Sequence, residues 1–356
     1  MFNKHTILLG IETSCDETAA SVCVDGKYIL SNVVSSQIAT HRTYGGVVPE
    51  IASRLHIDCI DYVTKCALDE AGVSLSDIDA ICATKGPGLS GALLVGYSFA
   101  KSLCYSNNIK LIPVNHLLAH IAANYLECSI NNLNELSTLN KNENILSTPY
   151  ICLLVSGGHT SLCLVKTKTD IEILGQTIDD AAGEAFDKVA RALNLPYPGG
   201  PQIENNANEY NNKNDISIIN LFPRGQVKDR PYDFTFSGLK SSVLNYINKY
   251  KININDKYEV KKISYAFEES VFDTLISKTI ALASEKNIKK VALAVGVAAN
   301  KTLREKLKVS CTNNSIEFHV PDIRWTTDNA AMICAEGFLH MNENEKKYIS
   351  SDIFLD

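Results

Sequence analysis

His116 and His120 stand four residues apart in the run His116-Leu117-Leu118-Ala119-His120. On a helix that spacing puts both imidazoles on one face, within reach of a single cation. A pair alone is not a metal site, and the peptidase form of the pattern needs Glu directly after the first histidine, where this chain has Leu117. A third ligand must come from elsewhere. Asp328, in Trp325-Thr-Thr-Asp328-Asn329, is one candidate, although it sits where a helix would begin and an ordinary N-cap is the plainer reading. Ser156-Gly157-Gly158-His159 joins two expected strands with small residues; its backbone N–H groups suit phosphate or carboxylate oxygens, or simply close a tight hairpin. A matching turn, Glu12-Thr13-Ser14-Cys15-Asp16-Glu17, follows the first expected strand. Its hydroxyls can meet phosphate oxygens, and its carboxylates can act as bases or cap the turn.

Three further runs carry polar chemistry. Asp179, Asp180, Glu184 and Asp187 open a helix, where acids favour the helix dipole, and Gly183 and Asp187 fall on a common face. Gly296-Val-Ala-Ala-Asn300 is a strand-to-helix glycine turn with an amide available to a base or ribose. Gly86-Pro87-Gly88-Leu89-Ser90-Gly91 fits the dinucleotide-binding spacing G-x-G-x-x-G. That reading fails on two counts: no Asp or Glu occurs between Asp79 and Glu127 to hold a ribose, and Pro87 removes a backbone donor. A tight turn bringing two backbones together is expected instead.

The elements that must position these residues come in two rounds. Apolar, β-branched runs at 6–12, 19–24 and 27–34 predict three strands, with Asp25-Gly26 as a turn. A helix from Pro49 to Glu70, a strand at 79–85, a helix at 90–105 and a strand at 110–114 follow. The second round has strands at 150–155, 160–166 and 171–176, helices near 181–193, 237–250 and 259–286, a strand at 291–295 and a helix at about 299–308. Three strands, helix, strand, glycine turn and helix in both halves imply a duplicated α/β lobe with a ligand between the copies. The expected division is an N-terminal lobe of 1–114 plus about 327–356, and a C-terminal lobe of 115–326. The Asn-rich stretches 129–148 and 205–214 have little periodicity and read as surface loops, the first inside the second lobe.

Composition narrows the class. With 45% hydrophobic and 21% charged residues the 356-residue chain is globular, and no apolar run approaches the ~20 residues of a membrane span. Glu12, Asp16 and Glu17 interrupt the apolar stretch after Lys4, so no signal peptide and a cytoplasmic location are expected. The 11 cysteines are scattered without a Cys-x-x-Cys pair, which argues for buried apolar roles in a reducing compartment and against a thiolate metal site; Cys15 alone has polar neighbours. Net charge is −6, yet residues 213–262 hold ten Lys/Arg against five acids. That segment is either a footprint for a phosphate backbone or a solvated helix face.

Taken together, the runs Gly10-Ile-Glu-Thr-Ser-Cys-Asp-Glu-Thr18, Gly45-Gly-Val-Val-Pro-Glu50, His116-x3-His120, Leu154-Val-Ser-Gly-Gly-His159, Ile178-Asp-Asp-Ala-Ala-Gly-Glu-Ala-Phe-Asp187, Tyr197-Pro-Gly-Gly-Pro201, Phe236-Ser-Gly-Leu-Lys240 and Thr327-Asp-Asn329 closely resemble the tRNA N6-adenosine threonylcarbamoyltransferases, formerly known as O-sialoglycoprotein endopeptidases. The resemblance implies an actin/hexokinase-like (ASKHA) two-lobe fold with the nucleotide in the interlobe cleft. It implies transfer of threonylcarbamoyl from its adenylate to N6 of adenosine 37, in tRNAs reading codons that begin with A, with release of AMP. It makes His116, His120 and Asp328 ligands of one divalent metal, Fe2+ ahead of Zn2+. It makes Leu154, Val155, Ser156, Gly157, Gly158, Asp187, Gly200, Glu204 and Asn300 contacts of the adenylate. Glu12 and Asp16 are the candidates for an acidic residue near the attacking amine. It also implies tRNA, an inactive paralogue (TsaB type) and a P-loop ATPase (TsaE type) as partners. The chain departs from many members in Glu204 for Asp, Leu118-Ala119 for Glu-Gly, Ala298 for Ser and a longer Asn-rich loop. A non-catalytic scaffold subunit, a metallopeptidase and a phosphotransferase of the same superfold are the rival readings.

Overall fold

The structure, a computed structural model, describes residues 5–137 and 146–342. The chain forms two compact units, one running to Leu146 and resuming at Arg324, the other Ser147–Ile323. In the first, β1 (Ile7–Glu12), β2 (Glu17–Val24) and β3 (Tyr28–Ser36) pair antiparallel in turn. Asp25 and Gly26 between β2 and β3 both take left-handed φ, 53° and 63°, the conformation that selects Asp and Gly there. α1 (Ile38–Arg42) and α2 (Pro49–Ala71) follow, α2 starting on a proline and stopping at the left-handed Gly72. β4 (Ala80–Gly86), α3 (Ser90–Asn107) and β5 (Lys110–Asn115) add two parallel strands beside β1. α4 (His116–Ala122) leaves the end of β5, and β6 (Cys128–Ser129) completes the order β5-β4-β1-β2-β3-β6.

The second unit repeats that plan. β7 (Tyr150–Val155), β8 (Thr160–Val165) and β9 (Ile171–Gln176) are antiparallel. Helices α5 (Ala182–Ala192), α6 (Gly199–Asn208), α7 (Ile216–Ile219), α8 (Ser237–Lys249) and α9 (Lys257–Glu285) come next. β10 (Lys290–Ala294) pairs parallel with β7, and α10 (Lys301–Asn313) leads to β11 (Glu317–His319), parallel with β10. The order β11-β10-β7-β8-β9 matches five strands of the first sheet, β5-β4-β1-β2-β3, in sequence and direction; β6 has no counterpart. The chain then returns to the first unit as α11 (Ala330–Leu339). The fold is mixed α/β with two sheets, and no described helix is long and apolar enough to cross a membrane.

Side-chain alternation decides what each face of the first sheet carries. Leu8 and Cys82 pack with Ala119 of α4 and Ala331–Cys334 of α11, whereas Leu9, Ile11, Ile81 and Ala83 pack with Ile60 of α2 and Tyr97 and Ala100 of α3. Glu12 and Thr84 share the parity of Leu8 and Cys82, so the strand ends present them toward α4 and α11. Gly10 lies on the same side; a Cβ there would stand 2.3 Å from the Ala330 carbonyl oxygen and 2.8 Å from Cys334 Sγ. Its missing side chain sets how closely α11 approaches. Gly10→Ala is expected to destabilise the protein by about 1–3 kcal/mol, the usual range for overpacking, lowering Tm in a thermal melt; an unchanged Tm would show that α11 can move away freely.

In the second unit Ile151, Leu153, Val155, Val291 and Leu293 of the sheet pack on Phe186 of α5, Leu303 of α10 and the buried α9, where Phe267 meets Phe186 edge-on at 5.0 Å. The unit boundary falls at 146/147 rather than 114/115, because Ala119 and Ala123 share a core with Ile112, Val114 and α11. The Asn-rich stretch after Ser129 therefore begins in the first unit, as a short 3-10 turn over Leu133–Ser137, and its residues 138–145 lie outside the described ones. Asn205–Asn208, expected in a loop, end α6. That helix is weak by propensity, with two Gly, one Pro and three Asn. It is held through Gly199, Ile203 and Ala207, buried at four-residue intervals.

Candidate metal centre

Asn115 fixes the start of α4 by accepting the Leu117 and Leu118 N–H groups at 2.9 and 3.1 Å. His116 and His120 thus occupy successive turns of one face, with ring centroids 4.6 Å apart. Nε2 of His120 lies 3.2 Å from Nε2 of His116 and 3.1 Å from Asp328 Oδ1, and the remaining side of the triangle, His116 Nε2 to Asp328 Oδ1, is 3.7 Å. A cation about 2.1 Å from each ligand atom requires neighbouring ligands about 3.0–3.4 Å apart. Two sides meet that demand and the third, at 3.7 Å, exceeds it by a few tenths of an ångström; no other such group of three occurs among the described residues. Asp328 is not the helix cap: Asn329 takes that role, its Oδ1 accepting the Met332 N–H at 3.0 Å.

Glu12 lies behind this triangle, fully buried. Its carboxylate accepts from the Ser14 N–H and the Thr84 hydroxyl, and its Oε2 is 3.2 Å from Nδ1 of His116, the nitrogen opposite the converging one. Carboxylate–histidine contacts of this kind set the tautomer and orientation of a metal-binding ring. Ser14 Oγ is also 3.2 Å from that Nδ1, whereas the buried Nδ1 of His120 has no partner among the described residues. Burial alone would depress the His116 imidazole, but the Glu12 and Asp328 carboxylates override it and hold the group at about 9. Burial pushes His120 down. Burial, together with the Asp328 and Asp16 charges, lifts Glu17 to about 9. The field is one that attracts a cation.

Asp16 is buried, and its Oδ2 has no partner among the described residues. Its backbone is pinned: Gln37 N–H donates to the Asp16 carbonyl at 2.9 Å, and Nε2 of the buried His56 to the Cys15 carbonyl at 2.9 Å. Burial pushes the Cys15 thiol far up, so it is no nucleophile. The Gly86–Gly91 turn rests on this segment as expected of a close backbone approach. Leu89 N–H donates to Ser14 O at 2.8 Å, and a Cβ on Gly88, at φ 159°, would come within 2.6 Å of the same oxygen. Glu12→Gln keeps the shape and removes the charge facing His116. Metal affinity is expected to fall about 10–100-fold, as for outer-shell changes generally, measured by competition with a chelator; unaltered affinity would deny Glu12 its orienting part.

The remaining sequence-derived site residues sit in the second unit and are linked through direct contacts. Leu154 and Val155 are buried in β7, whereas Ser156 is half-buried and Gly157 and Gly158 of the turn are exposed. Ser156 Oγ accepts the His159 N–H at 2.8 Å, fixing the turn. Gly183 of α5 abuts it, since a Cβ there would be 2.5 Å from Ser156 O and 2.8 Å from Gly157. Asp187, one turn on, accepts the Gly199 N–H at 2.7 Å, placing Gly200 at the head of α6. Glu204 accepts the Lys301 N–H at 2.8 Å, beside Asn300. A Cβ on Gly157, Gly158, Gly200 or Gly296 would meet nothing within 4 Å. Internal packing gives these four no reason to be glycine.

Sequence reasoning missed Glu268. It is 1% exposed on α9 and accepts from Asn300 Nδ2 at 3.2 Å, while Asn300 Oδ1 takes the Leu303 N–H at 2.9 Å. Burial lifts its carboxyl to about 7. Thr84 was missed too, though strand parity with Cys82 would have placed it beside Glu12.

The sequence profile described as tRNA N6-adenosine threonylcarbamoyltransferase matches residues 28–335. A protein of that name from Caldicellulosiruptor saccharolyticus is 46% identical over 346 residues, covering 97% of this chain and 96% of its own. One from Clostridium beijerinckii is 48% identical over 339 residues, covering 95% and 93%. The crystal structure of T. kodakarensis HypF shares the fold at 16% identity, with a TM-score of 0.59 over 95% of this chain and 47% of that one. On profile and relatives alike, the chain belongs to the tRNA N6-adenosine threonylcarbamoyltransferase family and is a transferase that acts in tRNA modification.

Proposed function

We propose that this enzyme moves the threonylcarbamoyl group from threonylcarbamoyl-adenylate to N6 of adenosine 37, in tRNAs that read codons beginning with A, and releases AMP. The observation that carries the mechanism is the convergence of His116 Nε2, His120 Nε2 and Asp328 Oδ1, with Glu12 behind His116. Those three residues would hold one divalent ion, Fe2+ or Zn2+, which when bound supplies Lewis-acid charge to donor oxygens and to charge developing on them.

The chain's own residues do the rest by placement. The donor is a mixed anhydride with a good leaving group, and the adenine amine is a poor nucleophile, so positioning and charge stabilisation count most. In the turn at Ser156–Gly158 the Ser156 N–H donates to the His159 carbonyl at 2.7 Å and the Gly158 N–H to Ser156 Oγ at 3.2 Å, which leaves the Gly157 N–H for the phosphate or carboxylate of the adenylate. Asn300, fixed by Leu303 and Glu268, keeps one N–H for the nucleoside. Asp187 and Glu204 hold the glycine turn of α6 and the start of α10, and so position Gly200 and Asn300. Of the two candidate acids, Glu12 has its oxygens engaged and serves to orient His116; Asp16 Oδ2 is the group assigned to take the N6 proton.

The shared order of five strands in the two sheets supports a duplicated, actin/hexokinase-like architecture. The work is assigned to the cytoplasm, with an inactive paralogue and a P-loop ATPase as partners. A peptidase lacks its base at Leu117. Incubating purified protein with threonylcarbamoyl-adenylate and unmodified tRNA, with and without those partners, should give threonylcarbamoylated adenosine and AMP in equal amounts. No product under either condition would leave only a scaffold role; product without AMP would refute the donor.

A further inference from the structure

We propose that the α8–α9 turn, residues 249–258, is a stacking platform for unpaired nucleotides of the RNA substrate, with Tyr250 and Tyr258 beneath bases and Lys249, Lys251 and Lys257 against phosphates. The inference rests on the reading of the chain as a tRNA-modifying enzyme and goes beyond it by locating where, and to which part of the RNA, the protein binds. Tyr250 and Tyr258 are 58% and 55% exposed. Each is the outer rung of an aromatic ladder rooted in the core. Tyr250 lies 4.9 Å from Tyr246, which meets the buried Phe222 edge-on at 5.7 Å. Tyr258 lies 5.8 Å from Tyr210, which stacks at 5.4 Å on Tyr265, both of them buried. Rings braced from below lose little freedom when a base covers them, so stacking is not offset by ordering.

The charges between the rings are available. Among the described residues no carboxylate lies in ion-pair range of Lys249, Lys251 or Lys257, whereas Lys261 and Lys262, one turn on, are tied to Glu209 at 2.8 Å and Glu259 at 2.6 Å. Asp256, the acid inside the turn, is committed to capping α9, accepting the Tyr258 N–H at 2.9 Å. Lys249 Nζ is 5.3 Å from the Tyr250 ring centre, so cation and ring already form one unit. Free ammonium groups alternating with exposed rings match a single strand, whose bases offer their faces; in a duplex those faces are hidden.

The test uses the full chain and two RNAs, the anticodon stem-loop of a substrate tRNA and a blunt duplex of the same stem. For Tyr250→Ala/Tyr258→Ala, affinity for the stem-loop should fall about tenfold or more, with duplex binding unchanged. Tyr250→Phe/Tyr258→Phe should bind like wild type. Neutralising the three lysines with Gln should lower the slope of log K against log salt by about 2 for the stem-loop. Wild-type stem-loop affinity in the alanine variant, equal loss on both RNAs, or no stem-loop binding by the wild-type chain would overturn the platform. So would RNA binding that survives the lysine changes while capture of an acidic protein is lost. Transfer by wild type to full tRNA is measured alongside: if it proceeds while the tyrosine changes are silent, the platform alone falls, and if it does not, the underlying function falls.

Discussion

Asp328→Ala should fold as stably as wild type, retain less than about a tenth of the metal, and transfer threonylcarbamoyl about a thousandfold more slowly. The stability half of this expectation follows from the cap. Asn329, not Asp328, satisfies the first turn of α11, so the loss of Asp328 leaves the helix cap in place. The metal half follows from the triangle, in which Asp328 Oδ1 is the one anionic corner, 3.1 and 3.7 Å from the two imidazole nitrogens. Two neutral imidazoles on one helix turn are a weak pair without it. His116→Ala is a poorer experiment, because it strands the Glu12 carboxylate in a fully buried site, a change that costs about 3–5 kcal/mol by itself. Metal content by elemental analysis, Tm and initial transfer rate decide the matter together. Full metal occupancy in Asp328→Ala would mean that the ion, if bound, sits elsewhere.

Much of the scaffold was legible because the chain writes it in simple periods. β1, β2 and β4 are buried on both faces and read as short β-branched runs between turn residues, and α2 announces both its ends. The metal ligands were legible only in part. His116 and His120 show a spacing, but Asp328 lies 208 residues from His120 and adjoins a better cap, so its pattern alone favoured the wrong job. Glu12 could be recognised as acidic but not as His116's support, which depends on β1 lying beside β4 and on α4 leaving β5 toward the same face. α6 was hidden for the opposite reason: its Gly- and Asn-rich letters resist helix, and only Gly199, Ile203 and Ala207 at their buried spacing hold it. The basic segment separated into two parts. Arg224, Arg230, Lys240, Lys261 and Lys262 are paired with acids, which is the solvated-face reading, while among the described residues Lys213, Lys228, Lys249, Lys251 and Lys257 have no acid in ion-pair range.

Glu268 illustrates what no period reveals, and it yields the second large expected effect. α9 is buried along most of its length, so polar residues such as Ser264, Glu268, Ser270 and Thr274 fall inside with the phenylalanines and the apolar stripe disappears. Burial drives the Glu268 carboxyl from an ordinary 4.5 up to about 7, with Glu204 and Glu269 pushing the same way and the Asn300 hydrogen bond and Lys306 opposing. Between those two values the folded chain holds a proton that the unfolded chain has released. Stability from this group is therefore complete below pH 4.5 and is lost as pH rises to 7, by about 3 kcal/mol from the shift. Glu268→Gln keeps an acceptor for Asn300 Nδ2 and has no charge to bury. It should match wild type in urea unfolding at pH 5 and exceed it by about 3 kcal/mol at pH 8. If this destabilising carboxylate next to Asn300 serves the nucleoside contact proposed for Asn300, the stabilised variant should bind the adenylate more weakly. Parallel unfolding curves at both pH values would remove the charge from this account, and unchanged adenylate affinity would reduce Glu268 to a buried residue without a task.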